Sequence, residues 1–195
     1  MEASIKQAVR KVLIYPLDKL QHLSFYRRLA GLLKRGITIK EANEEGMRSF
    51  YRWVNPKKPI AIRRNPNVTN FVAKKAHKVI DFVQLVTHPN NNLYSGWWLS
   101  SLSIKPIYRG MGIGEELTKA VIEKAKTHGA KELSLVVRED NKNAIGLYKK
   151  IGFKRKIKPG LEENLEKEAI KTGHRRILMS VNLRTEGVTM PNDEI

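Results

Sequence analysis

The hydrophobic positions of the chain follow two different periods. Segments in which every second residue is apolar predict strands, and segments in which apolar residues recur every three or four positions predict helices. The predicted strands are 37–42, 70–75, 78–86, 98–104, 131–138, 151–156 and 174–183. The predicted helices are 44–54, 114–128, 142–150 and 161–172. This order of strands and helices predicts a mixed α/β (α+β) layer and not a doubly wound parallel sheet.

The first 36 residues have a basic helical pattern of their own. Leucines recur at helical intervals, Pro16 interrupts the pattern and Gly36 closes it. The segment either docks on a ribosome, nucleic acid or membrane surface, or packs on the domain with a solvated basic face; we favour the second interpretation. The predicted organisation is a basic helical extension at 1–36, a domain at 37–184 and a loose tail at 185–195.

The helix at 161–172 is acidic, which is unusual in this chain. It carries Glu162, Glu163, Glu166 and Glu168. These carboxylates could receive a cationic amine, or they could belong to a solvated helix in which they pair with Lys167 and Lys171. The sequence leaves both possibilities open.

Length and composition limit the classes of protein to consider. With 195 residues the chain can form one domain with a sizeable core. Its 37 basic and 19 acidic residues give a net charge of +18, which attracts anionic ligands or partners such as RNA. The absence of cysteine excludes a disulfide, a thiol nucleophile and a thiolate metal site. None of the 5 histidines has metal-ligand or triad spacing, so no metal is predicted.

Nothing in the hydrophobic pattern points to a membrane. No apolar run approaches the ~20 residues that span a bilayer. Residues 1–7 lack a basic region followed by an apolar stretch, so no signal peptide is predicted and a cytoplasmic location is expected. The sequence does not decide between a monomer and a dimer.

A glycine-rich turn at 108–117 separates a predicted strand from a predicted helix. Glycines at alternate positions let backbone N–H groups approach a ligand, and the helix start adds unpaired donors and a positive dipole end. This arrangement predicts a phosphate or pyrophosphate site. It is not the dinucleotide fingerprint, because Glu115 stands where the third glycine is required, and it lacks the Gly-Lys-Ser/Thr of a Walker A loop.

Two motifs of the chain, the first of them in this turn, resemble those of the GCN5-related N-acetyltransferases (GNAT). The first is Arg109-x-x-Gly112-x-Gly114, and the second is Asn141-x-x-Ala144-x-x-Leu147-Tyr148-x-x-Ile151-Gly152-Phe153. Their order and spacing identify residues 37–184 as a member of that superfamily. The resemblance implies a mixed, mostly antiparallel central sheet whose central strands splay apart, flanked by helices.

The resemblance also implies a site for acetyl-CoA as co-substrate. The pantetheine arm would lie between the splayed strands, paired with the backbone of Leu102, Ser103 and Ile104. Arg109 would shape the turn or contact the pyrophosphate, and Asn141 would hydrogen-bond the pantetheine arm, although alone it would be predicted as a helix N-cap. Backbone N–H groups of the turn would hold the pyrophosphate, and these belong to Gly110, Met111, Gly112, Ile113, Gly114 and Glu115.

The implied reaction is attack of a neutral amine on the thioester, directly in a ternary complex, since no cysteine can carry the acetyl group. Tyr148 is the predicted catalytic residue and is also predicted to contact the acetyl-CoA. The resemblance implies that it lies at the sulfur, where a phenol of pKa ~10 can protonate a thiolate whose thiol has a pKa near ~8.5 at small cost. A backbone N–H of 102–104 would meet the oxyanion.

The general base and the acceptor are not determined by the sequence. Ribosomal-protein N-terminal acetyltransferases of this family carry Glu where this chain has Val136, which weakens that assignment. Glu139 and Asp140 are interpreted as solvated turn residues. Four residues are candidates for lining the acceptor cleft and not for the general base, and these are Trp97, Trp98, Ser101 and Ser103.

The predicted function is therefore transfer of acetyl from acetyl-CoA to a primary amine of a small molecule, peptide or protein. Two alternatives remain on the same fold. One is a basic module that docks on RNA or the ribosome, and the other is a non-catalytic sensor of acetyl-CoA.

Overall fold

The computed structural model describes residues 34–42, 47–48, 65–76 and 78–183 of the chain. The strands are β1 (Ile37–Glu41), β2 (Val68–Lys75), β3 (Lys78–His88), β4 (Gly96–Ile104), β5 (Glu132–Arg138), β6 (Lys154–Arg155) and β7 (Arg176–Asn182). The helices are α1 (Ile113–Thr127), α2 (Lys142–Ile151) and α3 (Pro159–Thr172), and a 3₁₀ turn spans Pro106–Tyr108.

The described strands form one sheet in the order β1-β2-β3-β4-β5-β7-β6. Within it, β4 and β5 are parallel and all other neighbours are antiparallel. The meander predicted from the sequence is β2-β3-β4, and the helical connection α1 then carries the chain to the parallel strand β5, as such a connection requires. The mixed, mostly antiparallel sheet flanked by helices confirms the predicted fold.

Helix α1 covers one face of the sheet with an apolar stripe. Ile113, Leu117, Val121 and Ala125 lie four residues apart, and none is more than 1% exposed. Glu115 and Glu116 in the first turn and Lys124 and Lys126 in the last turn have the charges that the helix dipole favours at each end. The start of α1, which borders the glycine turn, is therefore fixed by packing against the core.

Helix α3 is packed on the sheet through a second apolar cluster. Its Leu161 and Leu165 are buried against Trp98 of β4 and Leu178 of β7. The acidic segment predicted at 161–172 is therefore an amphipathic helix. Its apolar side packs on the sheet, and its polar side faces away from it. The helix contacts β4 and β7, and both strands contribute residues to the candidate site described below.

Truncating the buried side of α3 tests this packing. Replacing Leu165 with Ala should lower the free energy of unfolding by about 2–5 kcal/mol, because it leaves a cavity between α3 and the sheet. Ile170 of the same helix is 86% exposed, and Ile170→Ala should change that free energy by no more than about 0.5 kcal/mol. Urea denaturation of both variants measures the difference, and equal effects would contradict the packing of α3.

Two details of the fold differ from the sequence prediction. Ile151 was predicted to open a strand, but it is the last residue of α2 and packs against the main core. Gly152 then adopts a φ of 104° and ends the helix, so the following strand begins only at Lys154. The 3₁₀ turn that Pro106 begins was not predicted.

Several predictions fall outside the described residues. Of the helix predicted at 44–54 only Met47 and Arg48 are described, and both are helical. The extension at 1–36 is outside except for its last three positions, and the tail at 185–195 is wholly outside. The chain divides into Met1–Arg35 and Gly36–Ile195, and all the elements named above belong to the second unit. In the described part of the chain, no helix has the length and apolar character needed to cross a bilayer.

Candidate active site

The two parallel strands β4 and β5 separate at one end. They pair only where Trp97 meets Leu133 and Trp98 meets Ser134, although β4 continues to Ile104 and β5 to Arg138. A cavity of about 1280 Å³ lies between the separated ends and is lined by residues of both strands. Backbone groups on two such facing edges can pair with an extended ligand in the way that an added strand would.

A bulge in β4 borders this cavity. Phe82 of β3 pairs with Ser103 and Gln84 pairs with Ser100, so Ser101 and Leu102 together oppose a single residue of β3. Ser101 has a φ of 56°, which is uncommon for a residue other than glycine. Because a bulge leaves one residue out of the ladder, it redirects backbone groups of β4 at the point where the two strands part.

The glycine turn closes one end of the cavity. Gly110 and Gly112 have φ values of 75° and 79°, and Gly112 is the N-cap of α1. The first N–H groups of α1 have no partner within the helix and are available to a ligand. A Cβ at Gly114 would lie 3.2 Å from Leu147 Cδ2, so this glycine allows α1 and α2 to approach each other.

Arg109 fastens the turn to the end of β4. Its Nε donates a hydrogen bond to the carbonyl oxygen of Ile104 at 3.1 Å. The arginine of the first motif therefore shapes the turn, and Arg109 also lines the cavity. A cation at this position favours an anionic ligand such as a phosphate.

Glu115 links the two helices beside the turn. Its carboxylate accepts hydrogen bonds from Lys119 at 2.8 Å and from Lys150 at 2.6 Å. These two bonds lower the pKa of Glu115 to about 2. Glu115 is therefore ionised at neutral pH and unsuited to take a proton from a substrate, whereas Lys150 is held at the cavity wall.

Tyr148 is a buried residue of α2 that reaches the cavity. It is 6% exposed, and its ring lies 5.6 Å from the ring of Phe153. Burial raises the pKa of Tyr148 to about 12, so the phenol stays protonated at neutral pH. Its hydroxyl forms no hydrogen bond with any of the described residues. The hydroxyl is also not fully buried, so a ligand can reach it. Its proton is therefore available to a ligand.

Asn141 has the role of a helix cap and also lines the cavity. Its Oδ1 accepts a hydrogen bond from the backbone N–H of Ala144 at 3.1 Å, at the start of α2. The cap occupies the side-chain oxygen and leaves the amide Nδ2 to act as a donor. Asn141 can therefore cap α2 and donate a hydrogen bond to a ligand at the same time, so the two roles considered from the sequence are compatible.

This geometry combines splayed parallel strands, a glycine turn at a helix start and a protonated tyrosine. Residues 25–153 of the chain match the model of the acetyltransferase (GNAT) family, which is more than half of its length. The chain belongs to the GNAT family.

Individual relatives agree with this membership. The chain is 42% identical over 64 residues to the thialysine N-epsilon-acetyltransferase of Bos taurus, a match that covers 30% of this chain and 38% of that protein. The chain thus spans less than half of the length of the curated relatives it matches.

Two solved structures share the fold. The ribosomal-protein-S18-alanine N-acetyltransferase of Escherichia coli superposes with a TM-score of 0.57 at 20% identity, covering 79% of this chain and 98% of the other. A Salmonella typhimurium protein determined with its cofactor acetyl-CoA has a TM-score of 0.57 at 15% identity, covering 80% and 99%.

The residues predicted from the GNAT motifs come together in the structure. All of them except Met111 line the one cavity, while the side chain of Met111 packs against the core. The residues on the cavity wall are Leu102, Ser103, Ile104, Arg109, Gly110, Gly112, Ile113, Gly114, Glu115, Asn141 and Tyr148. Their roles toward a ligand are taken up as proposals below.

The predicted acceptor residues are only partly brought to the cavity. Trp98, Ser101 and Ser103 line it, but Trp97 does not and instead contacts the ring of His128 at 5.6 Å. Trp98 is also buried against α3, whereas Trp97 packs against the main core.

Sequence reasoning missed several residues that line the cavity. The strand predicted at 78–86 continues to His88, whose ring makes an edge-to-face contact with the ring of Tyr94 with centroids 6.4 Å apart. Arg138 and Arg176 are a cross-strand pair of β5 and β7. All four residues line the cavity. No local motif marks them, since only the pairing of distant strands brings them together.

The acidic side of α3 is occupied by arginines and a lysine. Glu162 and Glu166 lie near Arg175, Glu168 pairs with Arg176, and Glu163 pairs with Lys167. The predicted turn residues are paired as well, Glu139 with Arg155 and Arg175, and Asp140 with Arg138. These pairs favour the interpretation of the insert as a paired helix over a free acidic surface.

Within the described residues there is also no group of three side chains that could hold a metal ion.

Proposed function

We propose that the protein transfers the acetyl group of acetyl-CoA to a primary amine, directly and in a ternary complex. The observation that carries the proposal is the cavity between β4 and β5, which is lined both by the glycine turn and by Tyr148. Support also comes from family membership and from a relative named for acetylation of an amine.

The residues around the cavity suit the pantetheine arm and the pyrophosphate of acetyl-CoA. The free edges of β4 and β5 can pair with the amides of the pantetheine arm, at Leu102, Ser103 and Ile104. The turn from Gly110 to Glu115 offers backbone donors for the pyrophosphate, with Arg109 beside them as a cation. The Nδ2 of Asn141 donates to the pantetheine arm.

Tyr148 acts on the sulfur that leaves. In the reaction the amine nitrogen forms a bond to the thioester carbon, the carbon–sulfur bond breaks, and the amine loses a proton while the thiolate gains one. Burial raises the pKa of Tyr148 to about 12. Complete proton transfer to a thiolate therefore costs more free energy than it would from a phenol with the reference pKa of ~10. A strong hydrogen bond from the phenol to the sulfur therefore carries much of its effect.

The bulge in β4 supplies the group for the developing oxyanion. A backbone N–H of Ser101 or Leu102 that is released from the ladder with β3 can donate to the thioester oxygen. Such a preorganised donor acts where the negative charge develops and needs no rearrangement during the reaction.

The test is release of free thiol from acetyl-CoA with a panel of small amines, polyamines, amino acids and peptide N-termini. We expect release with one class of primary amine, and formation of the N-acetyl product by mass spectrometry. The matched control is the N,N-dimethyl form of each amine, which cannot form a stable amide. Binding of acetyl-CoA without release by any amine would contradict the enzyme and favour a sensor.

A further inference from the structure

A buried carboxylate lies beside the end of β4, just before the chain enters the glycine turn, and has no part in the chemistry above. Asp81 of β3 is 0% exposed, and its Oδ1 accepts a hydrogen bond from the backbone N–H of Lys105 at 2.7 Å. Its Oδ2 is buried, with no hydrogen-bond partner among the described residues. Buried carboxylates are rare unless they are paired, so this one needs an explanation.

The bond from Asp81 holds one end of a peptide group whose other end is held by Arg109. The N–H of Lys105 and the carbonyl oxygen of Ile104 belong to the same peptide unit, which joins β4 to the turn. The N–H donates to Asp81, and the oxygen accepts from Arg109 Nε at 3.1 Å. The negative carboxylate thus lies at the N–H end of the peptide dipole, which is positive, and the guanidinium lies at the carbonyl end, which is negative. Charge-assisted hydrogen bonds of this kind are stronger than neutral ones.

This peptide unit separates the two parts of the ligand site. Before it lies the free edge of β4, and after it come the Pro106–Tyr108 turn and the glycines. Its orientation sets the direction in which the chain enters the turn. Lys105 adds a third attachment, because its Nζ donates to the carbonyl oxygen of Val79 at 3.3 Å.

We propose that Asp81 is a positioning residue for acetyl-CoA, which orients the Ile104–Lys105 peptide unit together with Arg109 and so fixes the glycine turn in its binding geometry. The proposal rests on the proposed function, since it concerns the same ligand. Asp81 itself does not touch the ligand, and its effect passes through the peptide unit and the turn.

The energetics of Asp81 agree with a functional origin. Burial raises the pKa of Asp81 from 3.8 to about 6. The hydrogen bond from Lys105 and the positive charges of Lys105 and Arg109 act in the opposite direction. Lys78 is a further cation, close to Lys105. Because the folded state holds the proton more tightly than the unfolded state, this group favours folding most below about pH 4. That contribution is lost as the pH rises through about 6. At neutral pH the ionised carboxylate therefore opposes folding, and its removal need not destabilise the domain.

The test measures acetyl-CoA affinity by calorimetry and thermal stability at pH 8. Asp81→Ala should weaken binding roughly tenfold while the Tm changes by no more than a few degrees. Asp81→Asn retains an oxygen that can accept from the Lys105 N–H and should restore most of the affinity. The control Val72→Ala, at a buried position of the neighbouring strand β2 that does not line the cavity, should lower the Tm and leave the affinity unchanged.

A double-mutant cycle identifies the shared peptide unit. If Asp81 and Arg109 hold the same group, Asp81→Ala should weaken binding much less in an Arg109→Ala background than in the wild type. Additive effects, an unchanged affinity in Asp81→Ala, or an equal loss in Asp81→Asn would each overturn the proposal. Failure of the wild-type protein to bind acetyl-CoA would instead overturn the proposed function.

Discussion

Replacing Tyr148 with Phe is expected to lower kcat by roughly 10²–10⁴-fold with the preferred amine, the range that positioned proton donors contribute. The phenol is protonated because burial raises its pKa to about 12, and the substitution removes only its hydroxyl. The Phe ring keeps the packing against Phe153. Steady-state kinetics at saturating acetyl-CoA measures the effect.

Two controls separate a loss of chemistry from a loss of structure. The dissociation constant for acetyl-CoA and the Tm of Tyr148→Phe should both remain close to those of the wild type, because no backbone group or packing contact changes. A kcat equal to that of the wild type would contradict the role of Tyr148. A parallel loss of acetyl-CoA binding would assign the residue to binding and not to catalysis.

The second large effect is expected at the glycine turn. Gly110→Ala should weaken acetyl-CoA binding roughly 10–100-fold, the equivalent of one lost hydrogen bond to a charged group. Gly110 has a φ of 75°, where an alanine costs about 1–2 kcal/mol of strain, and relief of that strain moves the backbone donors of the turn.

Gly129 provides a closely matched control at the other end of α1. Its φ is 74°, and a Cβ would meet no atom within 4 Å at either glycine. Gly129→Ala should therefore lower stability as much as Gly110→Ala, but Gly129 does not line the cavity and its variant should bind acetyl-CoA normally. Equal affinities in calorimetric titrations of the two variants would contradict a pyrophosphate site at the turn.

The fold was largely predictable because its elements have strong local periodicity. The stripe from Ile113 to Ala125 and the alternating residues of β5 predict a helix and a strand on their own. Features set by tertiary contacts were not predictable. The positive φ of Ser101 arises from pairing with β3, and nothing in the serine itself indicates a bulge.

The candidate site was predictable where a motif carries it. Arg109, Gly112, Asn141 and Tyr148 belong to two short segments of fixed spacing, and the structure brings them to one cavity. The arginines of the cavity wall were not predictable, because Arg138 and Arg176 become neighbours only through the register of β5 and β7. Asp81 was missed for a related reason, since its bond to Lys105 crosses 24 positions of sequence.

The most direct test of the site is amide hydrogen exchange of the full chain with and without acetyl-CoA. We expect acetyl-CoA to slow exchange at residues 102–104 and 110–115, where the free edge of β4 and the glycine turn meet the ligand. The paired strands β1 and β2, which do not line the cavity, should show no change. Slowed exchange confined to other parts of the chain, or none at all at saturating acetyl-CoA, would contradict the proposed site.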